Sequence, residues 1–309
     1  MEHSITLNAQ IVQYLLTGIT VGSIYALVAL GFNIIYNATG IINFAQGEFV
    51  MLGGLVMVFL STVLRLPSYL GYAPGLLVGF VFSVAIVTAV GGAMERLTIY
   101  PLKGAGVVTL IIITIAVSIL IKAIAMFVWG KDAYDLPAFS GRTPISFLGA
   151  PLYPQSLWVL GITLGVVVLV NQFFKRTILG KAMMACAENP RAASLVGIDV
   201  RAMALLAFAL SAAIGSVGGI VITPISLMEY DQGALLALKG FGASVLGGLG
   251  SFYGAVMAGF ILGLIESLFA GVVHSGYKDA AALVVLLLVL FVKPSGIFGN
   301  AEISRMKRF

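Results

Sequence analysis

An all-α polytopic membrane protein is the fold class this sequence predicts, on three observations. Hydrophobic residues make up 60% of the 309 and charged residues only 9%, a balance well outside that of soluble domains. Apolar runs of about 20 residues, the length that crosses a bilayer as a helix, recur along the whole chain with short connections. Lysine and arginine gather in those connections, so the net charge of +5 reports topology, and membrane lipid rather than nucleic acid is the implied partner. The runs allow roughly 8–10 transmembrane helices. They leave no room for a soluble domain, and residues 1–309 read as a single transmembrane domain.

Residues 11–36 read as the first span. Gly18 and Gly22, four apart, and then Ala26 make a small-residue face that lets two helix backbones approach. Neither Lys nor Arg precedes Arg65, and the run is too long for a signal-peptide core, so it reads as a retained span. Asn33 and Asn37 mark its boundary. Residues 40–49, Gly40-Ile41-Ile42-Asn43-Phe44-Ala45-Gln46-Gly47-Glu48-Phe49, then pass without a true loop into the apolar stretch 51–64. Asn43, Gln46 and Glu48 are thereby left at or inside the membrane edge. A carboxylate near hydrocarbon is costly enough that it usually faces a bundle interior or a watery cavity. Two readings stand: the three side chains line a route or gate, or Glu48 caps a helix and Asn43 ties two helices together. Gly47 suggests a backbone irregularity, tolerated at membrane depth only where protein or a cavity covers it.

Residues 65–74 read as a short turn and 75–94 as the third span, ending in Glu95-Arg96 and closed by residues 100–103. Residues 107–129 are the fourth span. The longer loop 130–154, with Lys131, Asp132, Asp135, Arg142 and several prolines, is a candidate docking surface, and 156–174 is the fifth span. Residues 175–201 form the one long polar loop that reads as a folded object. Asn189 suits an N-cap, Pro190 the first helical position and Gly197 a left-handed stop. A helix of about seven residues is roughly 10 Å long and lies on the membrane surface rather than across it. Asp199 caps the span that follows.

Glu229, Tyr230 and Asp231 mark a turn after that span. Residues 235–250 carry Gly240, Gly242, Gly247, Gly248 and Gly250, and read either as a closely packed span or as a broken, partly re-entrant helix. Residues 253–273 bring Gly259 and Gly263, four apart, and then Glu266. His274, Lys278 and Asp279 make a turn, 280–292 is the last span, and the tail carries Arg305, Lys307 and Arg308. Glu95 and Glu266 join Asn43, Gln46 and Glu48 as candidates to line a pathway. Basic loops stay cytoplasmic. That rule places 175–201 and the C-terminus inside, and 130–154 and the N-terminus outside, when 235–250 counts as one crossing. A weak internal echo links Leu52-Gly53-Gly54 and Glu95 with Leu246-Gly247-Gly248 and Glu266, at different spacings.

Several chemistries are absent from the pattern. No Gly-x-x-x-x-Gly-Lys-Ser/Thr loop exists to cradle ATP. Cys186 is the sole cysteine and His3 and His274 the only histidines, so no intrachain disulfide or Cys/His zinc site can form, and no cofactor or metal is expected. An intramembrane hydrolase would need an activated serine or a pair of matched aspartates, and neither is evident. A proton-coupled secondary transporter stays open, because Glu48, Glu95 and Glu266 could relay protons.

Taken in order, Gly22-Ser23-Ile24-Tyr25-Ala26-Leu27, Ile42-Asn43-Phe44-Ala45-Gln46-Gly47-Glu48, Leu179-Gly180-Lys181-Ala182 through Ala187-Glu188 to Leu195-Val196-Gly197-Ile198, Val245-Leu246-Gly247-Gly248-Leu249-Gly250-Ser251 and Pro294-Ser295-Gly296-Ile297-Phe298-Gly299 carry a resemblance. The chain resembles the permease subunits of bacterial branched-chain amino-acid ABC transporters, the H-type Liv permeases. That resemblance implies a non-enzymatic inner-membrane subunit forming half of a transmembrane path, paired with a second permease in what is expected to be a heterodimer. It also implies two cytoplasmic ATPases and an extracytoplasmic binding protein. Residues 175–201 would dock into an ATPase, with Gly180, Lys181, Glu188, Asn189, Arg191 and Gly197 as the coupling set. Related permeases carry urea or short amides, which stand as the alternative substrates. The sequence departs from the family pattern at Gln46, where many relatives have His, and at Lys181 and Met184, where Arg is common. Gln46 lacks a titrating ring, so a proton-linked role there is not expected.

Overall fold

The computed structural model describes residues 7–102 and 104–299; Lys103 and the basic tail at Arg305, Lys307 and Arg308 lie outside the described residues. α1 (Leu7–Thr39) ends at Gly40, whose φ of +71° turns the chain out of the helix. α2 (Gln46–Val58) continues into a π-helical turn, Phe59–Val63. Where the sequence suggests a simple turn over 65–74, the chain forms a further short helix, α3 (Leu66–Leu70), entered through Arg65 at φ +52°. α4 (Tyr72–Met94) runs on through a π-helical turn, Glu95–Ile99, and α5 (Val107–Trp129) follows. The 130–154 segment holds an antiparallel hairpin of β1 (Ile145–Phe147) and β2 (Ala150–Leu152), with Phe147 opposite Ala150. Then come α6 (Pro154–Arg176), α7 (Ile178–Glu188), α8 (Pro190–Leu195) and α9 (Val200–Ser226). α10 (Gln232–Gly247), α11 (Phe252–Val272) and α12 (Lys278–Val292) complete the fold. Among the described residues, 8 helical stretches are long and apolar enough to cross a membrane.

The helices are layered by burial. All 13 residues of α2 are buried, chiefly against α9, α10 and α4, whereas α12 buries only Ala281 and Ala282, and α5 only Thr114, Ile121 and Ala125. Helices apolar all round are found at a protein's centre or facing lipid. Here glycine decides which: Gly53 and Gly219 let α2 and α9 approach until a Cβ on Gly219 would stand 1.8 Å from the Val50 carbonyl oxygen. The two small-residue faces read from the sequence pack against each other. A Cβ on Gly22 would fall 2.8 Å from the Phe260 Cα, and one on Gly263 would fall 2.4 Å from the Gly22 Cα. In lipid, such contact is gained by dispersion at close range rather than by the hydrophobic effect. Gly47, in contrast, sits in regular helix; the backbone irregularity lies at residues 40–45.

Two faces follow from the contacts at the helix ends. Tyr72 Oη donates to the Ala138 carbonyl at 2.9 Å, Tyr134 and Met228 pair as a β-bridge, and Gly149 lies against Ala9. The hairpin, the starts of α1 and α4 and the end of α9 therefore share one face. On the other, Phe174 packs on Phe252 at 4.5 Å between centroids, and the amide of Ile297 donates to Leu246 O at 2.7 Å. That face holds α7, α8 and residues 293–299. α10 connects the two faces. Its 16 residues reach about 24 Å, short of a bilayer core of about 30 Å, and non-helical residues 227–231 make up the rest. Residues 235–247 are therefore regular helix, running between the two faces, and the break in helix precedes them at 227–231. The echo between Gly53-Gly54 and Gly247-Gly248 has no counterpart in shape, since the first pair lies mid-helix and the second closes α10, with Gly248 at φ +98°.

Gly263→Leu in α11 is expected to lower stability by about 1–3 kcal/mol through overpacking against α1. Thermal unfolding in detergent would read this as a lower midpoint, while Leu287→Ala on the exposed face of α12 should leave the midpoint unchanged.

Candidate functional site

The interruption between α1 and α2 is buried at Ile41, Asn43 and Ala45, where each unpaired backbone group costs several kcal/mol. Short polar side chains repair it. Thr39 Oγ1 accepts from the Ile41 amide at 3.2 Å, Asn43 Oδ1 from the Ala45 amide at 3.1 Å, and Thr114 Oγ1 on α5 from the Phe44 amide at 3.2 Å. Asn43 thus serves its own turn rather than tying helices together. Phe32, Phe44 and Phe241 close over the break, with centroids 5.3–6.4 Å apart.

Gln46 opens α2 and is fully buried in a slot between Gly31 of α1 and Gly215 of α9; a Cβ on Gly31 would lie 2.1 Å from Gln46 Nε2. Both ends of its carboxamide engage one residue. Ser211 Oγ lies 2.5 Å from Gln46 Oε1, and Gln46 Nε2 donates to Ser211 O at 3.3 Å. Ser211 Oγ is also 2.9 Å from Gly31 O, so its single proton serves one acceptor at a time. An amide, with a donor and an acceptor side by side, fits this position.

Glu48, two residues on, is also fully buried. Its Oε1 accepts from Ser118 Oγ on α5 at 2.9 Å, and its Oε2 has no hydrogen-bond partner among the described residues. It makes no capping hydrogen bond to α2. Oε2 faces the first turn of α10, where a Cβ on Gly233 would stand 2.4 Å away. Lys122 follows Ser118 by four residues on the same face of α5, and its Nζ is 5.5 Å from the ring centre of Tyr230, just ahead of α10.

Glu266 and Glu95 lie apart from this cluster. Glu266 Oε2 accepts from Tyr25 Oη at 2.5 Å, and its Oε1 pairs with Lys239 Nζ at 2.7 Å. The same ammonium reaches Asp279 Oδ1 at 2.6 Å and Tyr25 Oη at 2.9 Å, joining α1, α10, α11 and α12. Sequence reasoning passed over Lys239, although a lysine inside an apolar, glycine-rich run was itself the signal. Glu95 is buried in the π-helical turn at the far end of α4, near Tyr100, over whose ring Arg96 and Arg201 both sit, at 5.0 and 4.2 Å.

Residues 175–201 form a platform of two helices, not one. Thr177 caps α7 through the Gly180 amide at 2.9 Å, and Gly180 lies so close to α6 that a Cβ would meet Phe173 O at 2.3 Å. Met183 and Cys186 are buried beneath α7, and burial pushes the Cys186 thiol upward, leaving it a packing group. Asn189 Oδ1 caps α8 through the Ala192 amide at 3.0 Å, Gly197 stops it at φ +88°, and Asp199 Oδ1 caps α9 through the Arg201 amide at 2.9 Å. Lys181, Glu188 and Arg191 are exposed, as are Ile178 at 86%, Leu195 at 87% and Val196 at 77%. The free surface of the platform is therefore more apolar than the polar loop suggests.

Gln46→Leu keeps the volume but strands Ser211, and is expected to cost about 1–3 kcal/mol. In a double-mutant cycle of thermal stabilities, adding Ser211→Ala should cost less than the sum of the single losses. Lys239→Met should cost about 3–5 kcal/mol by leaving two carboxylates without their cation. Adding Glu266→Gln should return part of that loss, measured in the same assay.

Comparison with known proteins shows the family. Residues 14–292 match the family model described as the permease component of branched-chain amino acid transport systems. The chain is 32% identical to the permease protein LivH of the high-affinity branched-chain amino acid transport system of Escherichia coli K12, over 95% of this chain and 97% of that one. It is 31% identical to BraD of Pseudomonas aeruginosa, again over 95% and 97%. A more distant relative is the ribose import permease RbsC of Haemophilus influenzae, 26% identical over 87% of this chain and 81% of that one. The chain belongs to the family of permease components of branched-chain amino acid transport systems.

Proposed function

We propose that this chain is one membrane subunit of an importer for branched-chain or other small apolar amino acids. ATPase subunits drive it through the α7–α8 platform, and an extracytoplasmic binding protein delivers the solute to the hairpin face. The observation that carries the reading is the platform itself: two capped helices with exposed apolar side chains, joined to α9 through Gly197 and Asp199. Contiguous exposed apolar groups of that kind mark an interaction surface. Basic residues support the orientation, since Arg96, Lys175, Arg176, Lys181, Arg191 and Arg201 gather at the platform face, which is thereby read as cytoplasmic. Residues 293–299 reach the same face, so the C-terminal tail is read as cytoplasmic too. The exposed lateral helices α5 and α12 leave room for a second permease subunit beside this one.

The path is read as passing the start of α2, where Asn43, Gln46 and Glu48 lie together. A proton-coupled mechanism finds less support, because Glu48, Glu95 and Glu266 sit in separate surroundings rather than in a chain of groups that exchange protons. The substrate class follows from the relatives that match most of the chain's length. Uptake of labelled leucine by proteoliposomes tests the reading: transport is expected only with the ATPases, ATP and the binding protein, and uptake by the chain alone under a proton gradient would overturn it.

Ile178→Asp and Leu195→Asp place charge on the exposed platform. Each is expected to cut binding-protein-stimulated ATP hydrolysis about tenfold, with the thermal midpoint of the isolated chain unmoved. Equal ATPase rates in wild type and both variants would show that the platform is not the coupling surface.

A further inference from the structure

We propose that Glu48, Lys122 and the head of α10 form a recognition site for the two charged ends of an α-amino acid within the membrane. The proposal rests on the amino-acid reading above and names the groups that would serve it.

Three observations meet at one place. Glu48 is a fully buried carboxylate with one oxygen held by Ser118 and the other unpartnered among the described residues. The unpartnered oxygen faces the first turn of α10, a 16-residue helix that begins after the non-helical residues 227–231. No side chain caps that helix, and the amides of Gly233 and Ala234 have no acceptor among the described residues. A helix start of this kind offers free amides and the positive end of the helix dipole to an anion. Lys122 stands on the facing surface of α5, its ammonium against Tyr230 and in no ion pair among the described residues.

A zwitterion needs this combination. The ammonium and carboxylate of an α-amino acid are attached to one carbon, so the groups that read them must be adjacent and of opposite sign. Glu48 Oε2 is an acceptor suited to the ammonium, and the α10 amides with Lys122 are donors suited to the carboxylate. Discontinuous helices that aim their starts at a substrate anion near the bilayer midplane are a known physical solution in transporters. In the present conformation the site is shut, since Gly47 and Gly233 touch: a Cβ on Gly47 would fall 1.9 Å from Gly233 O. The contact is made by small groups, Gly47 against Gly233 and the Ala237 methyl with the Glu48 carboxylate beside them, so opening the site means parting the head of α10 from α2 along this seam.

The test uses the assembled transporter in nanodiscs without its binding protein, titrated by saturation-transfer NMR with leucine and with two half-ligands. Isoamylamine keeps only the ammonium of leucine, and 4-methylpentanoate keeps only the carboxylate. Glu48→Gln is expected to weaken isoamylamine about tenfold and leave 4-methylpentanoate unchanged; Lys122→Met is expected to do the reverse, and both should weaken leucine. Each variant's retained half-ligand shows that it is folded. Loss of both half-ligands in both variants, or of neither, overturns the site, as does a wild type that binds neither. Leucine uptake by the wild-type system, run beside the titration, separates the failures. Uptake without the charge split overturns this site alone, whereas no uptake overturns the amino-acid reading with it.

Discussion

Inside a bilayer the backbone has no water to fall back on, and the shape of this molecule follows from that constraint. Wherever helix is interrupted, side chains must supply the missing partners. The α1–α2 break uses Thr39, Asn43 and Thr114, and the α10–α11 turn uses Asn33 and Asn37. Asn33 Oδ1 accepts from Ser244 Oγ at 2.7 Å and from the Gly250 amide at 3.2 Å, while its Nδ2 donates to Ser251 O at 2.9 Å. Asn37 Nδ2 donates to Gly250 O at 2.9 Å. These asparagines look like the end of a span in the sequence, yet α1 continues to Thr39 and they point sideways to stitch another helix's turn. Each repair also fixes a neighbour: α1 cannot slide along α10 without losing it.

The transmembrane helices were legible because a span must be long and apolar, whatever packs around it; residues 107–129 coincide with α5 at both ends. The glycine pairs were legible for a related reason, since only close backbone approach rewards glycine four apart in a helix. α7 was not, because it buries little beyond Gly180, Met183 and Cys186, a narrow stripe easily lost in a polar loop. Its partner α8 was, because Asn189, Pro190 and Gly197 act locally and need no tertiary contact. Among the candidate side chains, depth was readable and company was not. Glu48, Glu95 and Glu266 are all buried, as costly carboxylates in a membrane should be, but which helix meets which is a property of the bundle.

The contrast between Glu266 and Glu48 shows what that company decides. Glu266 is answered on both oxygens, by Tyr25 and by a lysine that also holds Asp279, so four helices are tied at one point. Such a cluster costs much to desolvate and more to break, which suits a fixed joint. Glu48 has one neutral donor and a helix start for company, and keeps an oxygen in reserve. An incompletely answered charge is a poor joint and a good receiver.

The route from platform to that receiver is short and stiff. α9 begins at a cap contiguous with α8, and 12 residues of unbroken helix, residues 200–211, lead to Ser211, which grips both ends of Gln46. Beyond Ser211, Gly215 and Gly219 seat α9 against α2 too closely for independent motion. On the reading proposed above, a displacement of α7 and α8 reaches the start of α2 through packed backbone rather than through side chains that could relax. Well-packed interfaces tend to move between discrete arrangements instead of deforming. At the start of α2 the facing groups on α10 are small, Gly233 and Ala237 against Gly47, so on that reading movement imposed on α2 is passed to the head of α10. On the same reading, the proposed driving surface connects to the unpartnered carboxylate through α9, the Ser211–Gln46 contact and the first turn of α2.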